Sequence, residues 1–103
     1  MNLQAALDQI DPRADDEVIF ARRPWGLDSE AEIGQLDAEY RVPAIIKNRG
    51  LEYFLEASLV SEVLEVFEER EPTPEQRRAL LLYYAEHDAY PDWVYEFPDS
   101  GPA

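Results

Sequence analysis

The only histidine of the chain, His87, lies between two carboxylates in Glu86-His87-Asp88. A histidine beside carboxylates could bind a metal ion or act as a general base. Neighbouring side chains on a helix point about 100° apart, so these three need ligands from elsewhere to hold one ion. We therefore expect His87 to be a helix-end cation near the negative end of the helix dipole, with a metal or general-base role as the alternative.

Carboxylates are the most plentiful reactive groups, with 23 acidic side chains in 103 residues. Two of them could serve as the acid and base of a glycosidase, but in so acidic a chain some pair lies close by chance. Asp15-Asp16-Glu17, and Asp8 with Asp11, lack the spacing and the glycine of a calcium loop. The four glycines form neither a phosphate-binding loop nor a nucleophile elbow. We expect no catalytic residue, no metal and no cofactor, and an enzyme with clustered carboxylates and a metal is the least favoured alternative.

Charge and composition indicate the kind of partner. The net charge of −14 repels nucleic acid and anionic membranes and attracts basic protein surfaces. Residues 50–103 carry 13 acidic and only three basic side chains, so the second half should form most of the acidic surface. The chain has no cysteine, its first four residues do not resemble a secretory signal, and its longest apolar run, residues 79–85, is too short to span a bilayer. We expect a cytoplasmic protein that binds neither nucleic acid nor membrane directly.

Hydrophobic periodicity and turn residues predict the elements that position these groups. The predicted elements are, in order, helix 2–10, strand 18–22, strand 31–37, helix 43–49, strand 51–57, helix 58–70 and helix 74–88. This order predicts one α+β domain over residues 1–97, with a small, mostly antiparallel sheet of about three strands packed against three to four helices on one side. Residues 98–103 are predicted to be a flexible C-terminal tail.

Local signals define several element ends. Thr73-Pro74-Glu75-Gln76 combines an N-cap, a proline at the first helical position and a capping-box glutamine. Ser58 is the expected N-cap of helix 58–70. In strand 51–57, three apolar residues alternate with Glu52 and Glu56, which predicts one solvent-exposed face.

An acidic ridge is predicted on helix 58–70, opposite its apolar stripe. Its members follow helical spacing, with one glutamate beside them: Glu62, Glu65, Glu68 and Glu69. Like charges at this spacing cost about 0.2–0.5 kcal/mol per pair, and only Arg70 is near enough in sequence to offset them. The ridge is either a solubility face or a docking ridge for a basic partner. Arg77-Arg78 is expected to neutralise Glu75 and this ridge.

Aromatic residues interleaved with acids form a second candidate surface near the C-terminus. They are Tyr83, Tyr84, Tyr90, Trp93, Tyr95 and Phe97, among Glu86, Asp88, Asp92 and Glu96. Core packing is expected for Tyr83 or Tyr84, whereas residues 93–97 could belong to the core or to an interface. The predicted partner-binding residues are Glu62, Glu65, Glu68, Glu69, Asp92, Trp93 and Glu96.

Three segments resemble a known family. They are Trp25-Gly-Leu-Asp28, Gly50-Leu-Glu-Tyr-Phe-Leu55 with the helix that follows, and Leu82-Tyr-Tyr-Ala-Glu-His-Asp-Ala-Tyr90. Together they resemble a family of small acidic bacterial proteins of unassigned function, some of which resemble immunity proteins of polymorphic toxins. The resemblance extends over most of residues 18–93 and implies an α+β fold and neutralisation of a cognate toxin.

Two classes of binding function follow, and both require a folded acidic surface. The first is a bacterial immunity protein that binds and neutralises a basic toxin domain through an acidic, aromatic-flanked surface. The second is an acidic nucleic-acid mimic that inhibits a defence nuclease.

Overall fold

The computed structural model describes residues 1–96, apart from the side chain of Glu96. Its elements are α1 (Leu3–Gln9), β1 (Val18–Arg22), β2 (Ala31–Gly34), α2 (Ala44–Asn48), β3 (Leu51–Glu56), α3 (Ala57–Leu64), a 3₁₀ helix (Glu65–Phe67), α4 (Pro74–His87) and α5 (Trp93–Glu96). The predicted α+β fold and the order of its seven predicted elements are confirmed. The 3₁₀ helix and α5 are additions. The predicted tail, residues 98–103, lies outside the described residues.

The three strands form one antiparallel sheet in the order β2-β1-β3, with the β-branched and aromatic strand β1 at its centre. Val18, the first residue of β1, pairs with Gly34, the last residue of β2. The pairing ends there, so strand β2 ends at residue 34, earlier than the predicted residue 37.

The sheet is covered on both faces, so the prediction that helices cover one side only is wrong. Ile19 and Ala21 of β1 belong to the main core, which contains apolar residues of α1, α3 and α4. Val18 and Phe20 point to the opposite face and pack with Ile46 of α2. Strand β1 is thus buried on both faces, which explains its continuous apolar run.

A bulge interrupts the alternation predicted for β3. Ile19 of β1 pairs with Leu55 and Phe20 pairs with Tyr53, so Phe54 has no partner in the ladder. Phe54 and Leu55 are both buried in the main core, although they are neighbours. The rings of Phe54 and Trp25 form a T-shaped contact, with their centroids 4.8 Å apart.

Helices α1 and α4 are joined by two arginines of α4. Arg78 forms a bidentate ion pair with Asp8, in which both N–O distances are 2.8 Å. Arg77 donates to the carbonyl oxygen of Leu7 at 2.9 Å. The prediction that these arginines neutralise Glu75 and the ridge holds only for the charge of Glu75, which adds to the raised pKa of Arg78 after the larger effect of Asp8. Both arginines bind the C-terminal part of α1, where guanidinium groups satisfy both a carboxylate and an unpaired carbonyl.

The start of α4 follows its predicted capping box. The Thr73 hydroxyl oxygen accepts from the backbone N–H of Gln76, and the Gln76 side chain accepts from the backbone N–H of Thr73. Leu80 and Leu81 are completely buried, and they fix α4 on the core. Within residues 1–96, no helix is long and apolar enough to cross a bilayer.

Candidate protein-binding surface

Helix α3 begins at Ala57, directly after β3, and Ser58 is not its N-cap. The N-cap position is Glu56, whose side chain forms no capping hydrogen bond. The Ala57 N–H instead donates to the backbone carbonyl oxygen of Glu17 at 2.9 Å. Because the loop before β1 supplies this acceptor, a side-chain cap is unnecessary for that N–H group.

The α-helix predicted over residues 58–70 ends at Leu64, so the predicted length is wrong. Glu65–Phe67 form the 3₁₀ helix, and Glu68 then adopts a positive φ of 55° with ψ of −122°. Carboxylates near a helix C-terminus oppose its dipole, and Glu65, Glu68 and Glu69 all lie there. Phe67 is nevertheless buried, as the apolar pattern predicts, because the tighter 3₁₀ turn still directs it into the core.

The four ridge glutamates do not form one straight helical row. Glu62 lies on α3, Glu65 begins the 3₁₀ helix, and Glu68 and Glu69 lie in the turn that follows. The prediction that these glutamates form a single ridge on one helix is therefore wrong. All four residues are exposed, and none forms an ion pair with another residue of the described part of the chain.

Arg70 connects the end of this segment to the C-terminal helix. Its Nε donates to the carbonyl oxygen of Phe67 at 2.9 Å, and its Nη2 donates to that of Val66 at 2.8 Å. Its Nη1 donates to the carbonyl oxygen of Val94 in α5, also at 2.8 Å. The sequence predicted only that Arg70 would offset the charge of the glutamates. Its role in joining the 3₁₀ helix to α5 was not predicted, because the three acceptors are backbone carbonyls.

Two tyrosines lie where α3 and α4 meet the chain leading to α5. The rings of Tyr84 and Tyr90 are 5.5 Å apart between centroids. Burial, followed by the negative charge of Asp88, raises the pKa of Tyr84, and Glu62 contributes to this rise. Burial, followed by the charge of Glu62, raises the pKa of Tyr90, and Glu65 adds to it. Both hydroxyls thus remain protonated at neutral pH and can donate hydrogen bonds.

The C-terminal part of the predicted site is divided between core and surface. Trp93 is half-buried and its ring lies 6.2 Å from that of Phe67, so it is largely a packing residue. Val94 is completely buried, Asp92 is exposed, and Tyr95 is 66% exposed. Glu96 ends α5, and Phe97 lies outside the described residues.

Tyr95 also contributes to the raised pKa of Tyr90, which places it near that ring. We define the acidic tyrosine face as the set of side chains that these contacts and charges bring together: Glu62, Glu65, Tyr84, Asp88, Tyr90 and Tyr95. Two of its members, Glu62 and Glu65, were predicted as binding residues. Asp88 and the three tyrosines were noted only as part of the aromatic segment, because their proximity to Glu62 depends on how α3 packs against α4. Carboxylate acceptors beside neutral phenols and exposed aromatic surface can bind arginine and lysine side chains.

His87 is not a member of the acidic tyrosine face. It is exposed, its ring lies 4.3 Å from that of Tyr83 between centroids, and its Nε2 is 3.8 Å from an oxygen of Glu86. As predicted, it lies in the last turn of α4. Among residues 1–96, no group of three or more histidine, cysteine, aspartate or glutamate side chains is placed to hold a metal ion.

The fold and this face together define a small α+β protein with an acidic, tyrosine-bearing surface. The chain belongs to a family described as a domain of unknown function, DUF7716, whose model matches residues 1–93. The resemblance to a family of unassigned function is confirmed at this level. No curated protein and no solved structure matches the chain.

Proposed function

We propose that the acidic tyrosine face binds a basic protein surface, and that the partner is a bacterial toxin domain that this protein neutralises. The observation that supports this proposal best is the position of Glu62. Its charge acts on both Tyr84 and Tyr90, and it forms no ion pair within residues 1–96. Glu62 and Glu65 lie three residues apart and repel each other slightly in the isolated protein, and a bound cation would remove that cost.

The net charge of −14 supports rapid capture of such a partner. Opposite charges raise association rates toward about 10⁸–10⁹ M⁻¹s⁻¹ at low salt. An inhibitor must bind a toxin before the toxin acts, so a fast association is useful to it. A toxin that acts on nucleic acid or nucleotides would present the basic cleft that this face complements.

The aromatic members would supply the contact area that charge alone lacks. Tyrosine is favoured at interfaces because it brings a large apolar face and one polar group. Tyr95 is already two-thirds exposed, so a partner could cover it without rearrangement of the core. In this proposal Trp93 supports the face by packing on Phe67 and does not contact the partner as a direct anchor.

The proposal is tested by capture of the partner from native cells with the tagged protein, followed by mass spectrometry and an activity assay of the captured protein. A basic toxin whose activity falls in proportion to bound protein is the expected result. The double variant Glu62→Lys/Glu65→Lys should lose both capture and inhibition. Capture of a defence nuclease would instead favour the nucleic-acid mimic, and capture that the double variant retains would contradict the assigned surface.

A further inference from the structure

The arginine and lysine side chains of this acidic protein differ in whether they form ion pairs or hydrogen bonds. Five of the nine arginines and lysines form ion pairs with carboxylates within residues 1–96, and Arg70 and Arg77 donate to backbone carbonyls. Within the same residues, the side chains of Arg41 and Lys47 form neither an ion pair nor a hydrogen bond. Acids outnumber bases by more than two to one, so two uncompensated cations are unexpected.

Both cations line one open groove between α2 and β3. The groove has a volume of about 640 Å³, and we call it the α2–β3 groove. Leu51 and Val42 give it an apolar base, and Tyr53 lies half-buried beside them. This volume lies in the range of ligand-binding clefts, and its open side suits an extended chain.

The carboxylates that border the groove are already engaged. An oxygen of Asp37 accepts from the backbone N–H groups of Glu39 and Arg41, each at 2.9 Å. An oxygen of Glu52 lies 3.3 Å from Nε of Arg23. The N–H groups occupy an oxygen of Asp37 without cancelling its charge. Arg41 and Lys47 are the charged side chains of the groove lining that form neither a hydrogen bond nor an ion pair within residues 1–96.

The groove runs along the free edge of the sheet. Strand β3 is a terminal strand, and its consecutive residues Leu51, Glu52 and Tyr53 all border the groove. Neighbouring side chains of a strand point to opposite faces, so a groove bordered by all three lies beside the strand edge. Among the loop and cap hydrogen bonds of residues 1–96, none uses the backbone of these three residues. Their outward N–H and C=O groups are available to another strand.

From these observations we propose that the α2–β3 groove binds an extended acidic segment of another protein, which adds as a strand to the edge of β3. Alternate carboxylates of the segment pair with Arg41 and Lys47. Side chains between them meet the engaged pair of Arg23 and Glu52 on the other face, where a neutral residue fits best. This site is independent of the acidic tyrosine face.

The test uses a fluorescein-labelled nonapeptide of alternating glutamate and valine, titrated with the full chain while anisotropy is recorded. A salt concentration of about 0.15 M reduces the general repulsion between peptide and protein to within about 8 Å. We expect saturable binding, and a nonapeptide of alternating lysine and valine should not bind in this groove. The double variant Arg41→Glu/Lys47→Glu should weaken binding by about tenfold or more.

Two controls separate strand addition from simple charge attraction. The variant Arg13→Glu changes the net charge by −2, as the single variant Lys47→Glu does, at a residue whose side chain is 93% exposed. Lys47→Glu should weaken peptide binding, whereas Arg13→Glu should bind the peptide like the wild type. The glutamate–valine peptide with N-methyl groups at alternate residues, prepared in both registers, should lose binding in at least one register, because it cannot complete the backbone pairing.

Three results would overturn the proposal. They are absence of binding by the acidic peptide, equal binding in the groove double variant, and full binding by both N-methylated peptides. Circular dichroism of each variant shows whether it is folded, and both substituted cations lie on the surface without an ion-pair partner in the described part of the chain.

Discussion

The Nη1 atom of Arg70 lies 2.8 Å from the carbonyl oxygen of Val94, 24 residues further along the chain. The same guanidinium binds the carbonyl oxygens of Val66 and Phe67. One side chain therefore ties the end of the 3₁₀ helix to α5, the helix that carries Tyr95. The C-terminal aromatic segment depends on this connection because α5 is only four residues long.

Replacement of Arg70 by alanine should lower the free energy of unfolding by about 2–3 kcal/mol, because three carbonyl acceptors lose a charged donor. Urea denaturation measures this loss. Lysine at the same position should recover only part of it, since an ammonium group cannot reproduce the fixed fork of the guanidinium. If alanine changed the free energy of unfolding by less than about 0.5 kcal/mol, the connection between the 3₁₀ helix and α5 would be unimportant.

Glu68 has a backbone conformation that favours glycine, with φ of 55° and ψ of −122°. Glu68→Gly should raise the free energy of unfolding by about 0.5–1 kcal/mol, as relief of strain exceeds the entropy that glycine adds to the unfolded chain. Glu68→Ala removes the same charge but keeps a Cβ atom, so it serves as the control. Equal stabilisation by alanine and glycine would assign the effect to charge instead of backbone strain.

The ion pair between Asp8 and Arg78 should make stability depend on pH. The hydrogen bond from Arg78 lowers the pKa of Asp8 in the folded state. Its stabilisation is fully present above the ordinary pKa of an aspartate, and it is lost as the pH falls through the lowered folded value. At neutral pH, Asp8→Asn should thus be less stable than the wild type, and the gap should close at acidic pH.

Urea denaturation of both proteins between neutral and strongly acidic pH measures that gap. Asp15→Asn is a suitable control, because Asp15 is exposed and forms no ion pair within residues 1–96. A gap between Asp8→Asn and the wild type that stays constant with pH would be inconsistent with an ionic contribution from Asp8.

Two glycines should respond differently to alanine. Gly50 has a φ of +79°, and a Cβ atom there would lie 2.5 Å from Nη1 of Arg22. Gly50→Ala should cost about 1–2 kcal/mol of stability, because an L-residue is strained in this region. At Gly34 the added atom would lie 3.5 Å from the Phe20 ring, an ordinary contact. Gly34→Ala should therefore be neutral or stabilising by up to about 1 kcal/mol, and thermal unfolding of the two variants would reveal any reversal of this order.

Local signals predicted the elements well where the deciding groups are close in sequence. Thr73 and Gln76 are three residues apart and satisfy each other's backbone, so the start of α4 is visible in the sequence. The residue pattern of Val18–Arg22 likewise predicted β1 with its exact ends. The burial of Phe67 also followed from helical spacing, although the helix that should carry it changes type.

Features that depend on distant groups were not predicted. Arg78 meets Asp8 across 70 residues, and Ala57 finds its acceptor in Glu17 before β1. The bulge at Phe54 depends on how β3 pairs with β1. For the same reason, Glu62 and Glu65 were predicted as surface acids, but their neighbours Tyr84 and Tyr90 became part of the site only through the packing of α3 on α4.

The central claim is that the acidic tyrosine face is the surface that binds a basic partner. The most direct test is the dissociation constant of the captured partner, measured at two salt concentrations for the wild type, Glu62→Lys/Glu65→Lys and Asp15→Lys/Asp28→Lys. The last variant has the same charge change at two exposed residues outside the face. We predict that only the first double variant weakens binding by about 100-fold and reduces its salt dependence. Equal affinity and equal salt dependence for that variant and the wild type would contradict the account.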